Sequence, residues 1–162
     1  MNELDPSQRI FVSYIDKSRE YYLAHGYRNP YRWAHHEDAP FAPLAKPLSK
    51  CRVALITTAS LPGDERNVME VYAAPATPPP PALFTDHRSW HKEATHTRDV
   101  ESFLPIRRLE ELAAAGRIGS PSPRFYGAPT DYSQRRTVDK YAPALLELCR
   151  ADVVDVALLF PL

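Results

Sequence analysis

The run "VVDVALLFPL" at residues 153–162 constrains the fold more than any other stretch of the chain. Val153, Val154, Val156, Ala157, Leu158, Leu159 and Phe160 are interrupted only by Asp155. A short, β-branched and bulky apolar run without alternation predicts a strand buried on both faces, as in a parallel sheet covered by helices. "CRVALITTAS" contains a second run, Arg52–Thr58, that predicts another buried strand. Two such strands separated by helical segments require crossover connections. The expected class is therefore α/β, with a parallel, flavodoxin-like sheet. A last strand with no helix after it leaves such a sheet unfinished, so the domain is expected to be incomplete at its C-terminal strand.

Helix signals lie on either side of these strands. "DPSQRIFVSYIDKSREYYLAHG" has Asp5 as N-cap, Pro6 at the first helical position and Gly26 just past the end. Ile10, Phe11, Tyr14, Ile15, Ser18, Tyr21 and Tyr22 recur at helical spacing and predict one aromatic-rich face. Pro30, Pro40, Pro43 and Pro47 then impose extended chain, with Tyr31, Trp33 and Phe41 as its packing residues. "PGDERN" predicts a turn and "VMEVYA" an alternating edge strand, while "PATPPPP" can only be irregular or polyproline II. "FLPIRRLEELAAAGRIG" predicts a helix opened by Pro105 and stopped by Gly116, with Ile106, Leu109, Leu112 and Ala113 facing inward. "SPSPRFYGAPTDYSQRR" reads as loop, and "YAPALLELCRAD" as a short helix started by Pro143. Residues 1–50 are expected to form a helix and a Pro-rich wrapping arm, and residues 51–162 the N-terminal half of an α/β domain.

Charge excludes one class of partner. Twenty Lys and Arg balance twenty Asp and Glu, so the clustered basic footprint of a nucleic-acid binder is missing. No apolar stretch approaches a membrane span and "MNELDPSQRI" lacks a secretory apolar core, so the expected location is cytoplasmic, without a membrane partner. Cys51 and Cys149 are the only cysteines and form no C-x-x-C pair, which argues against a disulfide framework or a thiolate zinc site. Both read as small buried hydrophobes without a cationic neighbour to lower the thiol pKa.

Polar chemistry concentrates in two places. "TTAS" after the first strand brings hydroxyls and backbone N–H groups to the end of the sheet where α/β proteins bind ligands, and makes Thr57, Thr58 and Ser60 substrate-pocket candidates. It lacks the glycines of a phosphate-cradling loop, so no dinucleotide site is expected. "TDHRSWHKEATHTRD" carries His87, His91 and His96, and makes His91 and His96 further pocket candidates. His87 and His91 have the i, i+4 spacing of helical zinc ligands, but no H-E-x-x-H pattern is present and Thr and Ser disfavour a helix. The expectation is a polar loop over the strand ends, with no metal; a zinc enzyme using His87, His91 and His96 is the rival. His35 and His36 read as surface hydrogen-bonding residues.

Three stretches carry a family resemblance: "NPYRWAHHEDAPFAPLAKPLSKCRVALITTAS", "FLPIRRLEELAAAGRIGSPSPRFYGAPTDYSQR" and "CRADVVDVALLFPL". Together they resemble the N-terminal part of the selenoprotein B family of glycine, sarcosine and betaine reductases, most closely its D-proline reductase (dithiol) branch. The likeness runs from about residue 7 to the end and weakens over residues 62–103, where "PATPPPP" departs from the pattern. It implies an oxidoreductase that reductively cleaves a C–N bond of an amino acid or N-methylated amine. In that family a selenocysteine or cysteine follows directly on the strand matching "VALLFPL", so the nucleophile is expected beyond Leu162 and the 162-residue chain alone is expected to be inactive. No cofactor is expected in this chain; the resemblance implies selenocysteine in the full-length protein and a pyruvoyl group on a partner reductase subunit. The implied partners are a small amino-acid-like substrate and a dithiol or thioredoxin-like donor. Because UGA encodes both selenocysteine and stop, the expectation is a recoding codon read as a terminator; a nonsense mutation, a pseudogene or a frameshift is the alternative. The rival reading is a non-catalytic scaffold or subunit-assembly module that kept the fold.

Overall fold

Arg52–Thr57 (β1) carries no charge after its first residue, and five of its six residues are buried. In the computed structural model, which describes residues 14–27, 37–38, 42–63, 69–86, 96–131 and 133–162, this strand is the centre of a five-stranded sheet. Two compact units are formed by Met1–Pro40 and Phe41–Leu162.

In the first unit the helix Tyr14–Ala24 (α1) ends at Gly26, whose φ of +80° lets Tyr27 N–H reach the Tyr22 carbonyl and Gly26 N–H the Leu23 carbonyl. That paired closure is the left-handed helix stop expected of a glycine there. The predicted aromatic face is only partly described: Tyr21 and Tyr22 are exposed, with Tyr21 stacked near His25 and Tyr22 edge-on to Tyr27. The N-cap Asp5 and the arm residues Tyr31, Trp33 and Phe41 lie outside the described residues.

The second unit holds the sheet. Val156–Phe160 (β5) runs parallel to β1 along one edge, pairing Val53 to Val156 through Thr57 to Phe160. Along the other edge Ser120–Pro121 (β3) and Arg124–Gly127 (β4) follow one another, both parallel to β1. The carbonyls of Cys51, Val53 and Thr57 accept from Ser120, Ser122 and Ala128 on that side, while the Arg52 carbonyl accepts from Asp155 on the β5 side. Tyr72–Pro75 (β2) closes the far edge antiparallel to β4. The fold is thus α/β with a mostly parallel open sheet.

Period-2 alternation along β1 divides the core. Val53 and Leu55 join Phe125, Leu104, Ile106, Leu109 and Ile118 on the side covered by Ile106–Ala114 (α2). Ala54 and Ile56 join Tyr126 on the other side, packed by Leu145, Leu148 and Cys149 of Ala142–Ala151 (α4). A short helical turn, Gln134–Arg136 (α3), and a π-turn over Thr137–Tyr141 lead into α4 without a break. Gly116, at φ +67°, closes α2 as predicted.

Several expectations need correction. β5 is not buried on both faces: Leu158 is 40% and Leu159 70% exposed, because among the described residues no strand pairs its outer edge. The innermost position belongs to β1, which has neighbours on both sides. The stretch read as loop, residues 120–136, contains β3 and β4, whose Phe125 and Tyr126 are among the most buried side chains. Two prolines and an arginine hid a strand only four residues long. The predicted edge strand in "VMEVYA" starts later, at Tyr72, and runs through Pro75, where the missing N–H is tolerated at a sheet edge. Leu112 is 39% exposed rather than inward-facing, since α2 turns its Ile106 and Leu109 to the sheet.

Candidate functional site

β1, β4 and β5 are mutually parallel, so their carboxyl ends open on the same end of the sheet, where open α/β folds collect ligands. The turn that leaves β1 is built from its own hydroxyls. Thr57, 1% exposed, accepts the Ala59 N–H on its Oγ1 at 3.2 Å, an ST-turn that directs the chain out of the sheet. Thr58 Oγ1 accepts the Leu162 N–H at 2.9 Å and so ties the chain leaving β5 to the end of β1. Tyr72 donates its hydroxyl to the Ala59 carbonyl at 2.8 Å. Ser60, buried, exchanges two backbone hydrogen bonds with Phe84, at 2.9 and 2.8 Å.

That last exchange sets residues 82–86 beside the end of β1. Thr85, 3% exposed, then meets Thr97, with the two Oγ1 atoms 2.6 Å apart. Ala82–Asp86 and Thr97–Arg98 line an open surface cavity of about 270 Å³. Its lining combines the apolar Leu83 and Phe84 with the polar Thr85, Thr97, Asp86 and Arg98.

The predicted pocket residues are distributed unevenly around it. Thr57, Thr58 and Ser60 stand together at the end of β1, where the first two hydroxyls are engaged with backbone N–H groups. Exposed His96 immediately precedes Thr97 of the cavity wall. His91, with His87, lies outside the described residues. Thr85, Thr97 and Arg98 were not singled out from sequence. Their only signal was that they bracket the histidine-bearing segment, and nothing in a linear spacing of twelve residues says that its two ends touch.

Two other polar clusters serve the architecture. Asp131, just beyond β4, receives Arg136 Nη2 at 2.7 Å, Arg136 Nε, Ser133 N–H at 3.0 Å and the Tyr141 hydroxyl at 2.9 Å. The Arg136 guanidinium foremost, with Tyr141 and Ser133, holds its carboxyl well below the usual carboxylate range. At the opposite end of the sheet Asp152 takes a fork from Arg124 at 2.8 and 3.1 Å and the Tyr126 hydroxyl at 2.5 Å. Arg124 lowers the Asp152 pKa, while burial and then the bond to Asp152 push the Tyr126 phenol up to about 12.

Neither cysteine is set up as a nucleophile. Burial and the nearby Asp152 carboxylate raise the Cys149 thiol, and Cys51 is buried with Sγ 3.5 and 3.4 Å from the Lys46 and Pro47 carbonyls. Among the described residues no group of three or more His, Cys, Asp or Glu could hold a metal ion, and no helix is long and apolar enough to cross a membrane. Comparison with protein-family models, with curated proteins and with solved structures finds no match to this chain.

Proposed function

We propose that this chain is the N-terminal part of a selenoprotein B-type oxidoreductase of the D-proline reductase (dithiol) kind, which reductively cleaves the C–N bond of an amino acid or N-methylated amine. The observation that supports the reading is the bond from Leu162 N–H to Thr58 Oγ1. It holds the chain leaving β5 against the turn at the end of β1, so a residue attached after Leu162 would emerge at the ligand-binding end of the sheet. In the family that residue is selenocysteine or cysteine, which supplies the nucleophile, and a partner subunit's pyruvoyl group makes the substrate carbon electrophilic.

The residues of this chain position and do not react. The Thr57 and Thr58 hydroxyls fix the turn and the β5 exit, and β5 itself aims the nucleophile attached beyond its end. The overall change breaks one C–N bond and forms one C–H and one N–H bond, with two electrons and two protons from a dithiol that ends as a disulfide. The 162-residue chain alone is inactive on this reading.

The test reads the gene past the Leu162 codon and assays the protein extended through it, together with the pyruvoyl-bearing partner subunit. UGA followed in frame by a Pro-Val-Cys-His-like segment is expected, together with dithiol-dependent 5-aminopentanoate from D-proline or free amine from sarcosine. UAA or UAG without a homologous frame, or no turnover of any such amine, refutes the reading. A second reading, an assembly module without catalysis, is favoured by one observation: β5 presents an uncharged, partly exposed strand at the sheet edge. A stable homogeneous complex formed by the inactive chain supports it.

A further inference from the structure

We propose that the cavity between Ala82–Asp86 and Thr97–Arg98 is a binding site for a small organic carboxylate with an apolar body, recognised by Arg98 and the Thr85–Thr97 hydroxyl pair. Two hydroxyls at 2.6 Å share one hydrogen bond, in which one donates and the other accepts. The accepting hydroxyl keeps its own proton, so the pair holds one unspent O–H donor at the cavity wall. Arg98 lines the same cavity and, among the described residues, makes no ion pair or hydrogen bond. Its planar fork is therefore available for a carboxylate, the geometry that guanidinium matches best.

Leu83 and Phe84 supply the apolar part of the wall, Leu83 being 8% exposed. The volume of about 270 Å³ lies at the small end of ligand pockets, which suits a molecule of a few heavy atoms. Asp86, in the same wall, disfavours a dianion such as phosphate by its charge. The two hydrogen bonds between Ser60 and Phe84 place the cavity next to the end of β1. That the ligand also carries an ammonium, as D-proline does, rests on the reductase reading alone; carboxylate recognition stands on the cavity.

Calorimetric titration of the 162-residue chain with D-proline, cyclopentanecarboxylate and pyrrolidine separates the two halves. D-proline and cyclopentanecarboxylate are expected to bind and pyrrolidine not to. Arg98→Ala should weaken both acids by about tenfold or more, Arg98→Lys should fall between, and Thr97→Val should weaken them severalfold. Arg98 is exposed, so its variants should keep the wild-type urea midpoint, which shows that lost binding is not lost folding. Binding of cyclopentanecarboxylate without D-proline upholds the carboxylate site and counts against the amino-acid reductase. Silence from both acids at about 10 mM, equal binding by Arg98→Ala, or pyrrolidine binding as well as D-proline overturns the site.

Discussion

Tyr126 is fully buried, and its hydroxyl joins Ser122 to the Asp152 carboxylate across 3.2 and 2.5 Å. Tyr126→Phe keeps the ring but leaves Asp152 short of a donor, so it should cost about 1–3 kcal/mol in urea unfolding. An unfolded tyrosine ionises near pH 10, whereas this one is pushed up to about 12. The folded state therefore favours the neutral phenol; its contribution is complete below about pH 10 and is lost as pH rises through about 12. The wild type should lose stability over that window and Tyr126→Phe should lose less. The carboxylates behave in the opposite sense. Asp131 and Asp152 are held below their unfolded values, so their contributions are present at neutral pH and vanish as pH falls below about 4. Asp131→Asn should cost about 1–3 kcal/mol at pH 7 and flatten the acid limb of a plot of urea midpoint against pH. The partners of Asp152 could not be read from sequence, because Tyr126 and Asp152 meet only after α4 has crossed back over the sheet.

Helix ends show how far local chemistry is legible. Gly26 and Gly116 stop α1 and α2 with positive φ, as their positions predict. α4 makes the same closure, Val153 N–H to Arg150 O at 3.0 Å and Val154 N–H to Cys149 O at 2.9 Å, but places Val153 at φ +53°. A β-branched residue in that region is strained. Val153→Gly should raise the thermal midpoint, with a gain of about 1 kcal/mol, since Val153 is 66% exposed and gives up little packing. Strand ends are less legible. β2 and β4 meet in the pair Tyr72–Gly127, where an added Cβ on Gly127 would lie 1.8 Å from the Tyr72 ring. An aromatic ring laid across a cross-strand glycine covers backbone that would otherwise be bare. Gly127→Ala should destabilise by about 1–3 kcal/mol, and the penalty should largely disappear in a Tyr72→Ala background, as a double-mutant cycle by urea unfolding would measure. "RFYG" contains the glycine in plain view, but only the pairing with Tyr72 says why it must be small.

The sheet as a whole is covered unequally. The α2 side buries Leu104 completely with Phe103, Ile106 and Phe125, whereas α4 buries none of its own residues fully and leaves Leu146 48% exposed. β5 at the edge adds Leu158 and Leu159, an apolar strand without the charges that blunt natural edges. Leu159→Lys should change stability by no more than about 0.5 kcal/mol while reducing self-association in sedimentation velocity. If association is unchanged, the edge is not the contact. Composition and periodicity alone determined the α/β class, a buried strand starting at Arg52, a helix following Pro105 and another begun at Pro143, because those signals are local: uninterrupted apolar runs, a proline at a helix start, a glycine at its stop. Tertiary structure alone decided that β1 rather than β5 is innermost and that Arg124–Gly127 is a strand. It also decided that Thr85 and Thr97 share a hydrogen bond beside Arg98. Each of those depends on which distant segment supplies the neighbour, and a residue's own neighbours in the chain do not carry that information.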